Sequence, residues 1–200
     1  MSATVLYMSM SLDGFIAGPN ARVDNGLGDG GTRLHDWIWQ DQEVDLDGAA
    51  DRLRGANRDV FEELMATGAV VAGRGTFEPA RGWGGDHHDG VAIYIWSRHP
   101  APDWAAEWPA VHYVDDLEYA IRSAKEAAGD RNVLVHGAAI AQLALAAGLL
   151  DEIQIHLVPV LLGDGRRLFE QLGADQRQLE RISVLPGDGG VVHLRYRVLP

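Results

Sequence analysis

The sequence predicts an α/β fold with a mainly parallel central sheet, flanking helices and an antiparallel hairpin at the C-terminal end. Three observations carry that expectation. Short apolar runs alternate with segments of helical period through the middle of the chain, the pattern of strand–helix–strand units with parallel strands. The last two apolar-rich runs flank Pro186-Gly187-Asp188-Gly189-Gly190, a turn that folds its neighbours into a hairpin. Three strand ends in the middle of the chain pass directly into turns suited to a ligand, and open parallel sheets bind ligands at the carboxyl ends of their strands.

In order, Thr4 to Met10 is a buried first strand, stopped by Ser11-Leu12-Asp13-Gly14 and by Gly18-Pro19-Asn20 after Phe15-Ile16-Ala17. Residues 21–56 are polar and glycine-rich with an aromatic island at Trp37, Ile38 and Trp39, a length that suggests a binding loop or lid. Val60, Phe61, Leu64 and Met65 have helical spacing within Asn57 to Met65. Strands follow at Ala69 to Ala72, Val91 to Trp96 and Val111 to Val114, then a helix from Asp116 to Ala127 that Asp115 or Asp116 can cap. Val133 to Val135 is the fifth strand, and Ala138 to Ala147 reads as an almost wholly apolar helix closed by Gly148. Asp151 to Leu162 reads as one more strand before Gly163-Asp164-Gly165, and Glu180 to Leu185 pairs with Val191 to Val198.

At 200 residues the chain is expected to form one domain, residues 1–200. Its 29 acidic and 17 basic side chains give a formal charge of −12, which argues against nucleic acid as a partner. Any anion must be held by a local site. With no cysteine, thiolate metal sites and disulfides are excluded. No apolar run approaches the roughly 20 residues of a membrane span and the N-terminus lacks a basic leader, so a cytoplasmic protein is expected. Asp86-His87-His88-Asp89 reads as a solvated loop, and no metal site is expected. Gly26 to Gly31 formally spells GxGxxG but follows no strand and opens no clear helix, so it fails as a dinucleotide fingerprint.

The three marked strand ends are Gly73-Arg74-Gly75-Thr76, Ser97-Arg98-His99 and His136-Gly137-Ala138-Ala139. Glycines let the backbone approach an anion, Arg74 and Thr76 add donors, and Ser97 with Arg98 suits a phosphate monoester. Gly137 has no side chain to block a pyrophosphate at the helix start. Two arginines near one ligand favour the 2′-phosphate of NADPH over NADH, whose ribose usually meets an acid.

The residues Ser11-Leu12-Asp13-Gly14-Phe15-Ile16-Ala17, Gly73 to Glu78, Val135 to Ala138, Gly148 to Glu152 and Pro159 to Gly165 before Leu168-Phe169 resemble the dihydrofolate-reductase-like superfamily. Within it, the chain is similar to the branch of the C-terminal reductase domain of the bifunctional riboflavin-biosynthesis protein. The resemblance implies an NADPH-dependent reductase acting on a pyrimidine- or pterin-related heterocycle, as 5-amino-6-(5-phosphoribosylamino)uracil reductase does. It implies that Arg74, Ser97 and Arg98 hold the adenosine end, Thr76 and Gly137, Ala138, Ala139 and Ile140 the pyrophosphate, and Ile16 and Ala17 the nicotinamide. Gly73 belongs to the same turn.

For the chemistry, Asp13 is either an Asx turn or a group orienting substrate or water, and His156 either a sheet histidine or a proton donor. Trp37 and Trp39 either cover a flat ring or pack in the core. Trp37, Gly163 and Asp164 are the substrate-facing candidates. The apolar helix at 138–147 and the strand at 151–162 suggest a homodimer that buries them. The rival class is a non-catalytic module that binds or senses NADPH or another nucleotide.

Overall fold

A computed structural model describes residues 2–39, 49–170, 172–173 and 176–200. The elements are β1 (Thr4–Ser11), β2 (Phe15–Ala17), α1 (Asp36–Trp39), α2 (Ala49–Arg52), α3 (Gly55–Met65), β3 (Ala69–Gly73) and α4 (Arg74–Phe77). They continue as β4 (Ala92–Trp96), α5 (Asp103–Ala106), β5 (Val111–Val114), α6 (Leu117–Ala128), β6 (Val133–His136) and α7 (Ala138–Ala146). The chain ends with β7 (Glu152–Val158), β8 (Arg166–Arg167), β9 (Leu179–Pro186) and β10 (Val192–Val198).

Eight strands form one sheet in the order β5-β4-β3-β6-β1-β7-β10-β9. The pairs from β5 through to β7 are parallel, while β7 with β10 and β10 with β9 are antiparallel, the architecture the sequence predicts. Alternation along β1 divides two cores. Leu6 and Met8 join α6 and α7 through Ala120, Ala124, Ile140 and Ala144, whereas Val5 and Tyr7 face Val70, Ala72, Phe77 and Leu134. Asp116 caps α6 by accepting a hydrogen bond from the Tyr119 amide at 2.9 Å.

Four differences from the sequence reading have physical causes. The seventh strand ends at Val158 because Pro159 brings no amide to the ladder. Two short strands escaped periodicity by their length: β2 and β8 pair antiparallel, Ala17 against Arg166 and Phe15 against Arg167. The long polar loop carries local structure, with a 3₁₀ turn at Gly31–His35 running into α1, and α2 further on. Its middle, residues 40–48, lies outside the described residues. Helix α7 and strand β7 are packed inside the chain, with Ile140, Ala141, Ala144, Leu145, Ile153 and Ile155 all buried, so they leave little face for a partner. Among the described residues no helix is long and apolar enough to cross a membrane.

Phe77, fully buried, anchors the turn after β3: its ring lies 5.4 Å from Trp83, 6.0 Å from Trp104 and from Tyr113, and 6.4 Å from Trp108. Phe77→Ala is expected to lower the free energy of unfolding by about 3–5 kcal/mol in urea denaturation, because so large a ring leaves a cavity its neighbours fill only in part.

Candidate cofactor site

Gly73 is paired with Trp96 and Ala72 with His136, so β4, β3 and β6 leave the sheet side by side. The three turns expected to hold phosphate therefore form one rim, spaced by the roughly 4.8 Å between strands. At its centre α4 and α7 meet. Gly137 has φ +105°, and a Cβ built on it would fall 2.1 Å from Thr76 Oγ1. No other residue type fits there. The first intrahelical bond of α7 runs from the Ala141 amide to Gly137 O, which leaves the amides of Ala138, Ala139 and Ile140 without helical acceptors. No side chain caps that end.

Arg74 donates through Nε to Glu78 Oε1 at 2.6 Å, a pairing that pushes its guanidinium pKa up. Its two Nη groups have no bond to another described residue. Ser97 is buried and its hydroxyl closes a local turn, donating to His99 O at 2.6 Å and accepting from the His99 amide at 3.0 Å. Arg98 is exposed beside it. Both border a cavity of about 530 Å³ that also touches Tyr113, Asp115 and Arg122. Asp115 and Asp116 share its wall, and the Asp116 carboxylate is engaged as the α6 cap.

Ile16 and Ala17 lie in β2 with their side chains buried, so they present mainly backbone to the rim. A residue the sequence reading passed over links them to the phosphate turn. Arg166, paired with Ala17, reaches over to donate through Nη1 to Gly75 O at 2.6 Å. Its only sequence signal is a cation two residues past the Gly163-Asp164 turn.

Asp13 and Gly163 turn out to hold each other, while Asp164 bonds its own loop. The Asp13 carboxylate accepts from Ser11 Oγ at 2.6 Å, Gly163 N at 2.8 Å and Leu162 N at 3.2 Å, and Asp164 accepts from the amide of Gly165 at 2.7 Å. The bond from Ser11 leads the causes that pull the Asp13 pKa down to about 2. It is an ionised staple between two loops and has no proton to give at neutral pH.

His156 and Trp37 take the packed one of their two alternatives. His156 is buried, 2.9 Å from His193 by their Nδ1 atoms, and Trp37 packs on both rings while donating from Nε1 to Ser9 Oγ at 2.9 Å. Trp37 is a core ring and not an exposed cover. Burial pushes the His156 pKa well down and neighbouring imidazoles push it further, so it is neutral and poorly placed to shuttle protons. His87 and His88 form no solvated loop: His88 is buried against Thr67 O at 3.0 Å and His87 is half-buried between Trp83 and His136.

Burial, the first cause in each case, lowers His35, His136 and His193 to about 4 and takes His87 and His156 well below 6.5. Each folded pKa lies under its unfolded value near 6.5, so on acidification the unfolded chain takes up protons first. The stability these groups confer is complete above about pH 6.5 and is lost as the pH falls toward 4, by about 1.4 kcal/mol per pH unit for each proton. Tm measured at pH 7, 5.5 and 4.5 is expected to drop steadily, with a slope of two protons or more; a flat Tm over that range would contradict these burials.

Comparison with solved structures bears on the fold. A chain described as a candidate riboflavin biosynthesis protein from Shewanella sp. PV-4 superposes with a TM-score of 0.71 at 21% identity, covering 99% of each chain. RibD from Acinetobacter baumannii gives 0.61 at 20% identity, with all of this chain matching 59% of that one. A dihydrofolate reductase from Enterococcus faecalis, complexed with NADP(H) and RAB-propyl, gives 0.57 at 14% identity over 99% of this chain and 97% of its own. No curated protein matches the chain. The family model of the RibD C-terminal domain matches residues 3–193. The chain thus belongs to the RibD C-terminal domain family, reductase-like proteins on the dihydrofolate-reductase-like fold.

Proposed function

We propose that the protein is an NADPH-dependent reductase of a small heterocyclic molecule. The observation that carries this reading is the convergence of three strand ends on one rim, with three unbonded amides at the start of α7 beside the bare α-carbon of Gly137. Such a rim suits a pyrophosphate, since free amides and the helix dipole both favour negative charge. Arg74 from the end of β3, with Ser97 and Arg98 from the end of β4, would take the 2′-phosphate. Arg166 would supply a third cation next to Ile16 and Ala17, where the nicotinamide would lie. When bound, NADPH supplies the hydride; the chain's own part is to orient it and to keep the ring against β2.

The non-catalytic sensing module remains the second reading, favoured by one observation: neither Asp13 nor His156 is placed to donate a proton. NADPH oxidation that no pterin or pyrimidine in a substrate panel elicits would select it. A homodimer is also part of the proposal, through β9 in place of α7. That strand ends the sheet, and Leu179, Ile182, Val184 and Leu185 stand exposed along it, the kind of long apolar edge that chains pair or cover.

Arg74→Ala and Arg98→Ala are each expected to weaken NADPH binding about tenfold or more, as charge-assisted bonds to phosphate contribute about 1.5–3 kcal/mol, and to change NADH binding little. Equal losses for the two nucleotides in calorimetry would place the 2′-phosphate elsewhere. Val184→Lys is expected to shift a dimer toward monomer in sedimentation velocity; an unchanged dimer would move the interface off β9.

A further inference from the structure

Opposite β9, the sheet ends at β5, and a second cavity opens there under α6. Tyr94 of β4 stands level with His112 of β5 in the parallel ladder, so both side chains leave the same face of the sheet, and their rings lie 5.1 Å apart. On the helix, Ala120, Ile121, Ala124 and Ala128 turn into the core. Tyr119, Ser123 and Glu126, spaced i, i+4 and i+7, fall along a neighbouring stripe. These five side chains border a cavity of about 720 Å³ between strand and helix. Among the described residues no strand lies beyond β5 to close it.

The wall has one kind of charge and a surplus of acceptors. Glu126 is its carboxylate, and no lysine or arginine borders it. Arg122 stands over the Tyr119 ring at 5.6 Å but borders the neighbouring cavity of Ser97 and Arg98. The side-chain polar atoms of Tyr94, His112, Tyr119, Ser123 and Glu126 make no hydrogen bond or ion pair with another described residue. Burial first, and then the nearby Tyr119 phenol and Glu126 carboxylate, push the Tyr94 hydroxyl pKa up, which fits their gathering on one region.

Such a wall repels phosphates and carboxylates. It does not suit a metal ion either, because among the described residues no three metal-ligating side chains come together. An organic cation meets both of its properties: aromatic faces attract positive charge through their quadrupole, and the carboxylate and hydroxyl oxygens accept N–H bonds. The formal charge of −12 adds a field that draws cations to the surface.

We propose that the cavity between β5 and α6 binds a primary organic ammonium ion with an aromatic stem, its ammonium on the Glu126 carboxylate and its stem among Tyr94, His112 and Tyr119. The site adjoins the cavity of Ser97 and Arg98, with which it shares Tyr119, and it does not rest on the reductase reading.

The test titrates the full chain by calorimetry with 2-phenylethylammonium and with 2-phenylethanol, which has the same ring and stem and no charge. The ammonium is expected to bind at least tenfold tighter than the alcohol. Glu126→Gln and Tyr119→Ala, at exposed positions, are each expected to weaken it at least fivefold. Glu118→Gln removes an acid of the same helix that borders a different cavity, and is expected to change nothing. Equal binding of the two compounds, or no binding of the ammonium, overturns the proposal. A loss in Glu118→Gln as large as in Glu126→Gln also overturns it, since the cation would then be held by the general negative field and not by this cavity.

Discussion

Thr76 Oγ1 stands where a side chain at residue 137 would begin, and the site is built around that contact. It draws the first turn of α4 against the first turn of α7. The parallel registers of β3 with β4 and β6 make the approach possible, because each of the three strands ends at the same level. Only glycine satisfies both demands at 137, a positive φ and an absent Cβ. Larger residues would push the two helix starts apart and separate the free amides from the arginine turn.

Two of the guanidiniums around the rim are held by neutral or singly charged partners. Arg74 leans on Glu78 and Arg166 on the carbonyl of Gly75, while Arg98 stands free beside its cavity. Such bonds keep the side chains in position while contributing little energy at an exposed surface. Below the rim the chemistry changes character, from charge to neutral imidazole and indole. The pairs His156–His193 and His87–His88 each end on a fixed acceptor, Asn57 Oδ1 or Thr67 O, and that ending sets the tautomers of both pairs.

The sheet was legible in the sequence because its strands are apolar runs bounded by turn residues, and so was the meeting of three turns on one rim, because glycine, arginine and hydroxyl residues fall at neighbouring strand ends. The contacts of the other candidate residues were not. Asp13 beside Gly14 looks the same whether it awaits a substrate or staples Leu162 and Gly163, since its partners lie about 150 positions away. His87 and His136 are far apart in the chain with no spacing rule, and only the fold brings their rings to 6.2 Å. The burial of Trp37 followed from its bond to Ser9, and the β2–β8 pair was too short for any period to reveal.

The central claim is that the rim of Arg74, Ser97 and Arg98 holds the 2′-phosphate of NADPH. A ³¹P NMR titration of NADPH with the protein tests it most directly. The 2′-phosphate resonance is predicted to shift on binding, and its second ionisation, near pH 6 for a free monoester, to move to lower pH beside two guanidiniums. A 2′-phosphate that keeps its free shift and its free titration while the pyrophosphate signals respond would contradict the account.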